Sequence, residues 1–600
     1  MRFTKGITRV LALAATAALA TVLPAQTLQV LTAGSSAQFG PFAVAAYALA
    51  TANSATAYHY TVKSGSCASG STTCYAYLGD SRSSSIANEP GNLWVVWSSN
   101  GIWAYLSVDS TVGVRAFQAT PRATLGLATL SSLPVSSTSN YLYWSDSTAD
   151  TALTSTVYSA LKGTAITAAN TDIRPEDALF ATNRALNTLG YGSVADTRSG
   201  HTGQYLIGYG IESAFGSSPS TANPVSFTLS GTDPFSGDAV PTSVTIPIGA
   251  APIVFLANAS TGNVTASATN ITTANAGELF SGTNCDSSML GLTSGTPLNP
   301  ILREPLSGTM NTVQYSVFWS AYDQENNIND GNAAPGASTN TGINPLQQKC
   351  TAGNGYRYRA IGTGDEVKAT QGGENVSSGL QGGGSAVANA VGYAFFSYES
   401  TAPSSSYPYH YLTLGGVDPI NSSYSAGALP TCSTSAGYLN CPISGGSSFP
   451  HLRDGSYPAW SVYRLITDST GEANAQTLVS EAQTLVNSTI PDFVPFTPVC
   501  ASSSNATDEP GLAVYREHYV PSTITTTPNT ISITANDGPV GASVSCASGL
   551  SSYTLPSLTL GGVDSTGENT EAGGDVGGTI VVNSTGASLT PPGYTQSTNH

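Results

Sequence analysis

Apolar and polar positions along this chain repeat a strand, small-residue loop, helix pattern. Gln29 to Thr32 forms a short β-type run, and after "AGSSAQFG" the residues Phe42, Ala43, Ala46, Tyr47 and Ala50 make a stripe at helical spacing. Pro41 suits the first turn of that helix. The unit recurs: Ile102 to Val108 reads as a strand that ends at Asp109-Ser110-Thr111, and Val114 and Phe117 begin another apolar face. In a third copy, Leu153, Val157 and Leu161 stripe a helix. A strand-like run then reaches Asp172, and Pro175-Glu176-Asp177 forms an acidic first turn. Such units predict an α/β layered fold whose ligands sit at the strand ends.

The later pattern is more interrupted. Val244 to Asn258 reads as a buried strand run with a Pro and Gly interruption, as expected where a chain leaves one domain for another. "VGYAFFSYES" and "GSYPAWSVYRLI" read as further strands, and Leu478, Val479, Ala482, Leu485 and Val486 place a helix between about 471 and 488. Residues 53–100 read as an inserted hairpin region, 193–240 as a loop excursion and 372–385 as a Gly-rich loop. From about 521 onward the chain is Thr-, Ser- and Gly-rich, which predicts a small β appendage or a disordered tail.

The N-terminus adds a destination. Arg2, Lys5 and Arg9 precede an apolar stretch from Val10 to Leu23 and the small residues Pro24-Ala25, so residues 1–25 read as a secretory signal peptide. No cysteine stands near the cleavage point to take a lipid, and no later segment is apolar enough to span a bilayer. Eight cysteines in an exported chain imply disulfides. Cys67 with Cys74 and Cys432 with Cys441 could close short loops, which leaves Cys285, Cys350, Cys500 and Cys546 for longer bridges of open connectivity. The formal net charge of −17 argues against nucleic acid as a partner. The six histidines are scattered, so the linear sequence offers no metal cluster, and neither a cofactor nor a catalytic group is expected.

Against this sparsely charged background, "LREPLSGTM" is conspicuous for its chemistry. Arg303 supplies a planar charged fork, Ser307 and Thr309 supply hydroxyls, and Gly308 allows close backbone approach at a helix start. That set suits a tetrahedral anion. A plain helix N-cap beside a surface arginine is the other reading of the same residues. "RAIGTGDEVKA", Arg359 to Ala369, has a similar outline and reads as an ordinary helix start, with a second anion site as the other reading. Trp94, Trp97 and Trp103 read as core strand residues, with sugar platforms as the other reading.

The Arg303, Ser307, Gly308 and Thr309 set resembles the R-x-x-x-S-G-T motif of the periplasmic phosphate-binding proteins of ABC transporters, which have the two-lobed type II solute-binding fold. Other segments resemble that family in the same order. "LTAGSSAQF" is similar to its first anion loop, with Ser36 and Ala37 where the family has Thr-Phe; "AYLSVDSTVGV" is similar to its second, with Ser110 at the hydroxyl position and Asp109 replacing a glycine. "AANTDIRPEDA" puts Asp172 at the position of the ligand-binding aspartate. The resemblance spans most of residues 27–500, with long insertions.

The resemblance implies an α/β, two-lobed periplasmic binding protein with β-rich insertions and a Thr/Ser/Gly-rich tail. Lobe I would comprise 26–250 with the return segment 451–520, lobe II 251–450 and the tail 521–600. Phosphate would bind between the lobes to Ser36, Ala37, Ser110, Asp172, Arg303, Ser307, Gly308 and Thr309, for delivery by a monomeric periplasmic protein to an ABC permease in the inner membrane. An aspartate facing an anion makes sense if the anion carries a proton: HPO₄²⁻ offers an O–H to an ionised carboxylate, and sulfate offers none. Asp172 also reads as the N-cap of the helix that follows it. A surface or matrix protein with altered or lost ligand is the second functional reading, and a related phosphatase the third.

Overall fold

The computed structural model describes residues 26–61, 75–82, 89–130, 151–175, 178, 227–233, 236–303, 307–318, 350–360, 363–371, 387–397, 409–424, 433–435, 438–440, 449–453, 456–486 and 492–495, together with short strands between 514 and 598. The expected signal peptide, the Gly-rich loop at 372–385, the cysteines other than Cys285 and Cys350 and most of 193–240 lie outside the described residues.

The elements that build the site begin with β1 (Leu28–Gly34), α1 (Phe39–Thr51), β2 (Thr56–Tyr60), β3 (Asn92–Ser98), β4 (Gly101–Ser107), α2 (Ser110–Gln118), α3 (Ser155–Leu161) and β5 (Ala168–Thr171). They continue with β6 (Val244–Asn258), α4 (Thr273–Ser281), β7 (Asn299–Arg303), α5 (Gly308–Val313), β8 (Tyr358–Ala360), α6 (Thr363–Gln371), β9 (Ala390–Phe395), β10 (Tyr409–Leu414), β11 (Trp460–Thr467) and α7 (Glu472–Val486). Among the described residues these strands join a thirteen-stranded mixed sheet in the order β8-β7-β9-β6-β11-β5-β1-β4-β3-β2, with β10 also paired to β6. The α/β class expected from the pattern is the one found.

Two groups of parallel strands flank an antiparallel centre. β1 runs parallel to β4 and β5, and β7 runs parallel to β8 and β9. Between them β6 pairs antiparallel with β11 through Val244–Pro252 and with β9 through Ile253–Ala257, so this one strand serves both groups. The expected strand runs unbroken from Val244 to Asn258, and its Pro and Gly interruption is a local irregularity in pairing. Tyr463 pairs with Gly249 and Arg464 with Pro247, which leaves Ile248 as the extra residue of a bulge that accommodates the local break in pairing.

Burial follows the strand period. In β3, Leu93, Val95 and Trp97 face one core while Trp94 and Val96 face the other, and in β4 Ile102, Ala104 and Leu106 oppose Trp103 and Tyr105. Helices α2 and α3 cover the first face, α1 and α7 the second, which is why these strands read as nearly continuous apolar runs. The hairpin region at 53–100 therefore contributes β2 and β3 to the main sheet instead of standing apart. Tail residues that are described form short antiparallel pairs, such as Val514–Tyr519 with Gly574–Thr579. Cys285 and Cys350 form a disulfide that brackets β7, α5 and the site arginine.

Candidate functional site

Five chain segments reach the site, each leaving the carboxyl end of a parallel strand: Ser35-Ser36 after β1, Asp109-Ser110 after β4, Asp172 after β5, Ser307 to Thr309 after β7 and Thr363 after β8. Side chains at such ends project beyond the sheet from loops pinned by rigid strands. At the end of β1, Gly34 has φ +142°, and a Cβ there would stand 1.9 Å from the Asn170 carbonyl oxygen, so only glycine lets β1 turn beside β5. The turn is held by Ser35 N–H donating to Asn170 O at 2.9 Å and by Tyr105 Oη–H donating to Ser35 O at 2.6 Å.

Arg303 organises the cluster. It is 2% exposed, and its backbone N–H donates to Tyr393 Oη at 3.2 Å. Its guanidinium Nη1 donates to Thr363 Oγ1 at 2.9 Å and reaches Thr309 Oγ1 at 3.5 Å. Nη2 pairs with Asp109 Oδ1 at 3.3 Å, and Nε lies 3.7 Å from Glu366 Oε2. Glu366 is itself buried, its Oε1 accepting from the Tyr393 N–H at 2.8 Å. Thr363 Oγ1 also shares a hydrogen bond with Ser36 Oγ at 2.9 Å, which links the loop after β1 to the arginine at the end of β7.

The second half of the cluster surrounds Asp172. Its backbone N–H donates to Ser110 Oγ at 3.3 Å and its carbonyl accepts from Ser461 Oγ at 2.9 Å. The residue is 3% exposed, and Oδ1 is buried with no hydrogen-bond partner. Burial raises the carboxyl pKa above its ordinary value, opposed by hydrogen bonding from Ser35 and Ser110, by the charge of Arg303 and by hydrogen bonding from Gln38. Gly308 begins α5 directly against this group: a Cβ there would lie 2.7 Å from both Asp172 Oδ2 and Ser110 Oγ. The two halves of the cluster thus meet at a residue with no side chain.

Of the anticipated residues, Ser36, Ser110, Asp172, Arg303, Ser307, Gly308 and Thr309 all come to this one place. Ser307 does cap α5, its Oγ accepting from Met310 N–H at 3.2 Å, but capping uses a lone pair and leaves the hydroxyl proton as a donor. Arg303 is buried, so the surface-charge alternative fails. Ala37 is buried in the loop after β1, with its N–H directed to Ser35 Oγ at 3.2 Å.

No protein-family model matches the chain, and no curated protein matches it. Solved structures similar to it include a phosphate-binding protein from Stenotrophomonas maltophilia, at 16% identity over 71% of this chain and 84% of that one, with a TM-score of 0.28. An ABC-type phosphate transport receptor from Vibrio cholerae is 11% identical over 41% of this chain and 70% of its own, with a TM-score of 0.22. PstS from Borrelia burgdorferi is 13% identical over 41% and 69%, also at 0.22.

The site includes residues the linear pattern did not assign. Thr363 opens a helix, as the Gly-Thr-Gly run predicts, yet its hydroxyl belongs to the same cluster as Arg303. Glu366 follows one turn later and braces the guanidinium. The strand-to-helix junction at Ala360–Thr363 was the available signal, since it repeats the arrangement at Arg303–Gly308. Only the parallel pairing of β7 with β8 makes the two junctions neighbours.

Proposed function

We propose that this chain is an exported, two-lobed receptor that captures inorganic phosphate for an ABC importer and performs no catalysis. Lobe I comprises 26–250 and 451–520, lobe II 251–450, and the protein works as a periplasmic monomer. Support for the division comes from β6 and β11, the strands by which the chain leaves one parallel group and returns to it. No helix among the described residues is long and apolar enough to cross a membrane.

One observation carries the ligand assignment. Asp172 Oδ1 is a buried carboxylate oxygen without a donor, in a cluster that also holds a buried arginine and the hydroxyls of Ser36, Ser110 and Thr309. A buried acceptor of this kind costs about 1–3 kcal/mol until a donor reaches it. A protonated tetrahedral oxyanion supplies that donor while its other oxygens accept from the arginine and the hydroxyls. Charge-assisted bonds contribute about 1.5–3 kcal/mol each, and micromolar binding needs about 8 kcal/mol, so a few such contacts suffice.

Isothermal titration of the full chain with phosphate and with sulfate tests this. Saturable heat with phosphate and none with sulfate is expected; absence of phosphate binding by folded protein would discard the assignment. Release of phosphate from a chromogenic ester would favour the phosphatase reading instead. Gly308→Ala places a methyl group against Asp172 and Ser110, and the crowding, about 1–3 kcal/mol, should weaken phosphate binding at least several-fold. An unchanged titration curve for that variant would show that α5 does not close the site.

A further inference from the structure

We propose that Asp109 makes this site selective for the singly charged, doubly protonated oxyanion, H₂PO₄⁻, over the dianion. The proposal rests on the phosphate assignment above and adds a protonation state to it. Asp109 occupies the N-cap position of α2, where an aspartate ordinarily accepts from its own helix's first N–H groups, yet its side chain makes no capping bond. It reaches instead to Arg303 Nη2, 194 residues along the chain, at 3.3 Å. The residue beside it, Ser110, touches Asp172.

The charges facing one another can be followed element by element among the described residues. Asp109, at the N-cap of α2, faces Arg303 at the end of β7, and Glu366 of α6 faces the same guanidinium from its Nε side. Asp172 lies beyond Ser110, near Tyr105 of β4 and Tyr463 of β11. Farther along α2, Arg115 is paired with Glu89. Arg303 is thus engaged by two carboxylates before any ligand arrives, and a third waits within the cluster. A dianion entering here competes with Asp109 for Nη2 and meets like charge on both sides. H₂PO₄⁻ brings half the charge and two O–H donors, one for Asp172 Oδ1 and one for Asp109.

Titrating inorganic phosphate into the full chain from about pH 5.5 to about pH 8.5 tests the inference. If only the monoanion binds well, the apparent Kd of the natural protein rises by up to about tenfold for each pH unit above the second ionisation of phosphate. In Asp109→Asn the rise should be shallower, and the variant should bind more tightly than the natural protein at the alkaline end. Asp109→Glu should restore the steep profile. An affinity of the natural protein that is constant up to the alkaline end overturns the proposal while leaving phosphate as ligand, and this arm needs no variant. Uniform weakening of Asp109→Asn at every pH also overturns it, since Asp109 would then only hold Arg303 in place. Lack of phosphate binding at every pH by folded natural protein removes both this proposal and the assignment beneath it.

Discussion

Arg303→Ala is expected to lower phosphate affinity by about a hundredfold or more and to destabilise the fold as well. Each charge-assisted hydrogen bond lost from the ligand costs about 1.5–3 kcal/mol, and the guanidinium is placed to donate more than one. The stability effect has a separate origin. Arg303 is 2% exposed between Asp109, Glu366 and Thr363, and truncation leaves two carboxylates without this cation. Breaking a buried pair from one side typically costs about 3–5 kcal/mol. Urea denaturation would report the second effect and calorimetric titration the first. Arg303→Lys separates them, because it keeps the charge but loses the planar fork that reaches Thr363 and Asp109 together. Affinity within a few-fold of the natural protein in Arg303→Ala would remove the arginine from the binding site.

Asp172→Asn should change selectivity more than affinity. The carboxylate accepts a hydrogen bond from an O–H that phosphate carries and sulfate lacks, while an amide can donate to either anion. The preference for phosphate over sulfate should fall by about 10- to 100-fold, read from parallel titrations, and an unaltered ratio would mean that discrimination lies elsewhere. The same variant has a signature in stability. Burial raises the Asp172 pKa above its ordinary 3.8, so the folded carboxyl holds its proton more tightly than the unfolded one. Its stabilising contribution is therefore complete below pH 3.8 and is lost as pH rises through the higher folded value. Asp172→Asn should lack that decline, so the stability of the variant relative to the natural protein should increase with pH over this window.

The elements that proved readable are those whose signal is local. Burial on both faces of β3 and β4 requires apolar residues at successive positions, and a one-sided helix such as α7 requires Leu478, Val479 and Ala482 at its own period, so both could be recognised one window at a time. The Arg303-to-Thr309 segment was legible for the same reason: fork, hydroxyls and glycine all lie within seven residues of chain. Ser36, Ser110 and Asp172 are ordinary residues in a chain rich in serine, and composition alone would not have chosen them. They were reached through the order of segments in a resembling family.

What the sequence determined by itself was the set of strand-to-helix junctions and the chemistry that each one offers. That the junction at Thr363 joins the same site was decided only by the tertiary structure, because strand order is a property of pairing between distant segments. Thr363 is the instructive residue: its surroundings in sequence describe a helix start, and its role follows from β8 lying parallel to β7, which sets its hydroxyl between Ser36 and Arg303. Asp109 is similar, an N-cap by position whose carboxylate turns to an arginine 194 residues away. Local propensity depends on neighbours in the chain, whereas the electrostatics of a buried cluster depend on neighbours in space, and here the two sets differ.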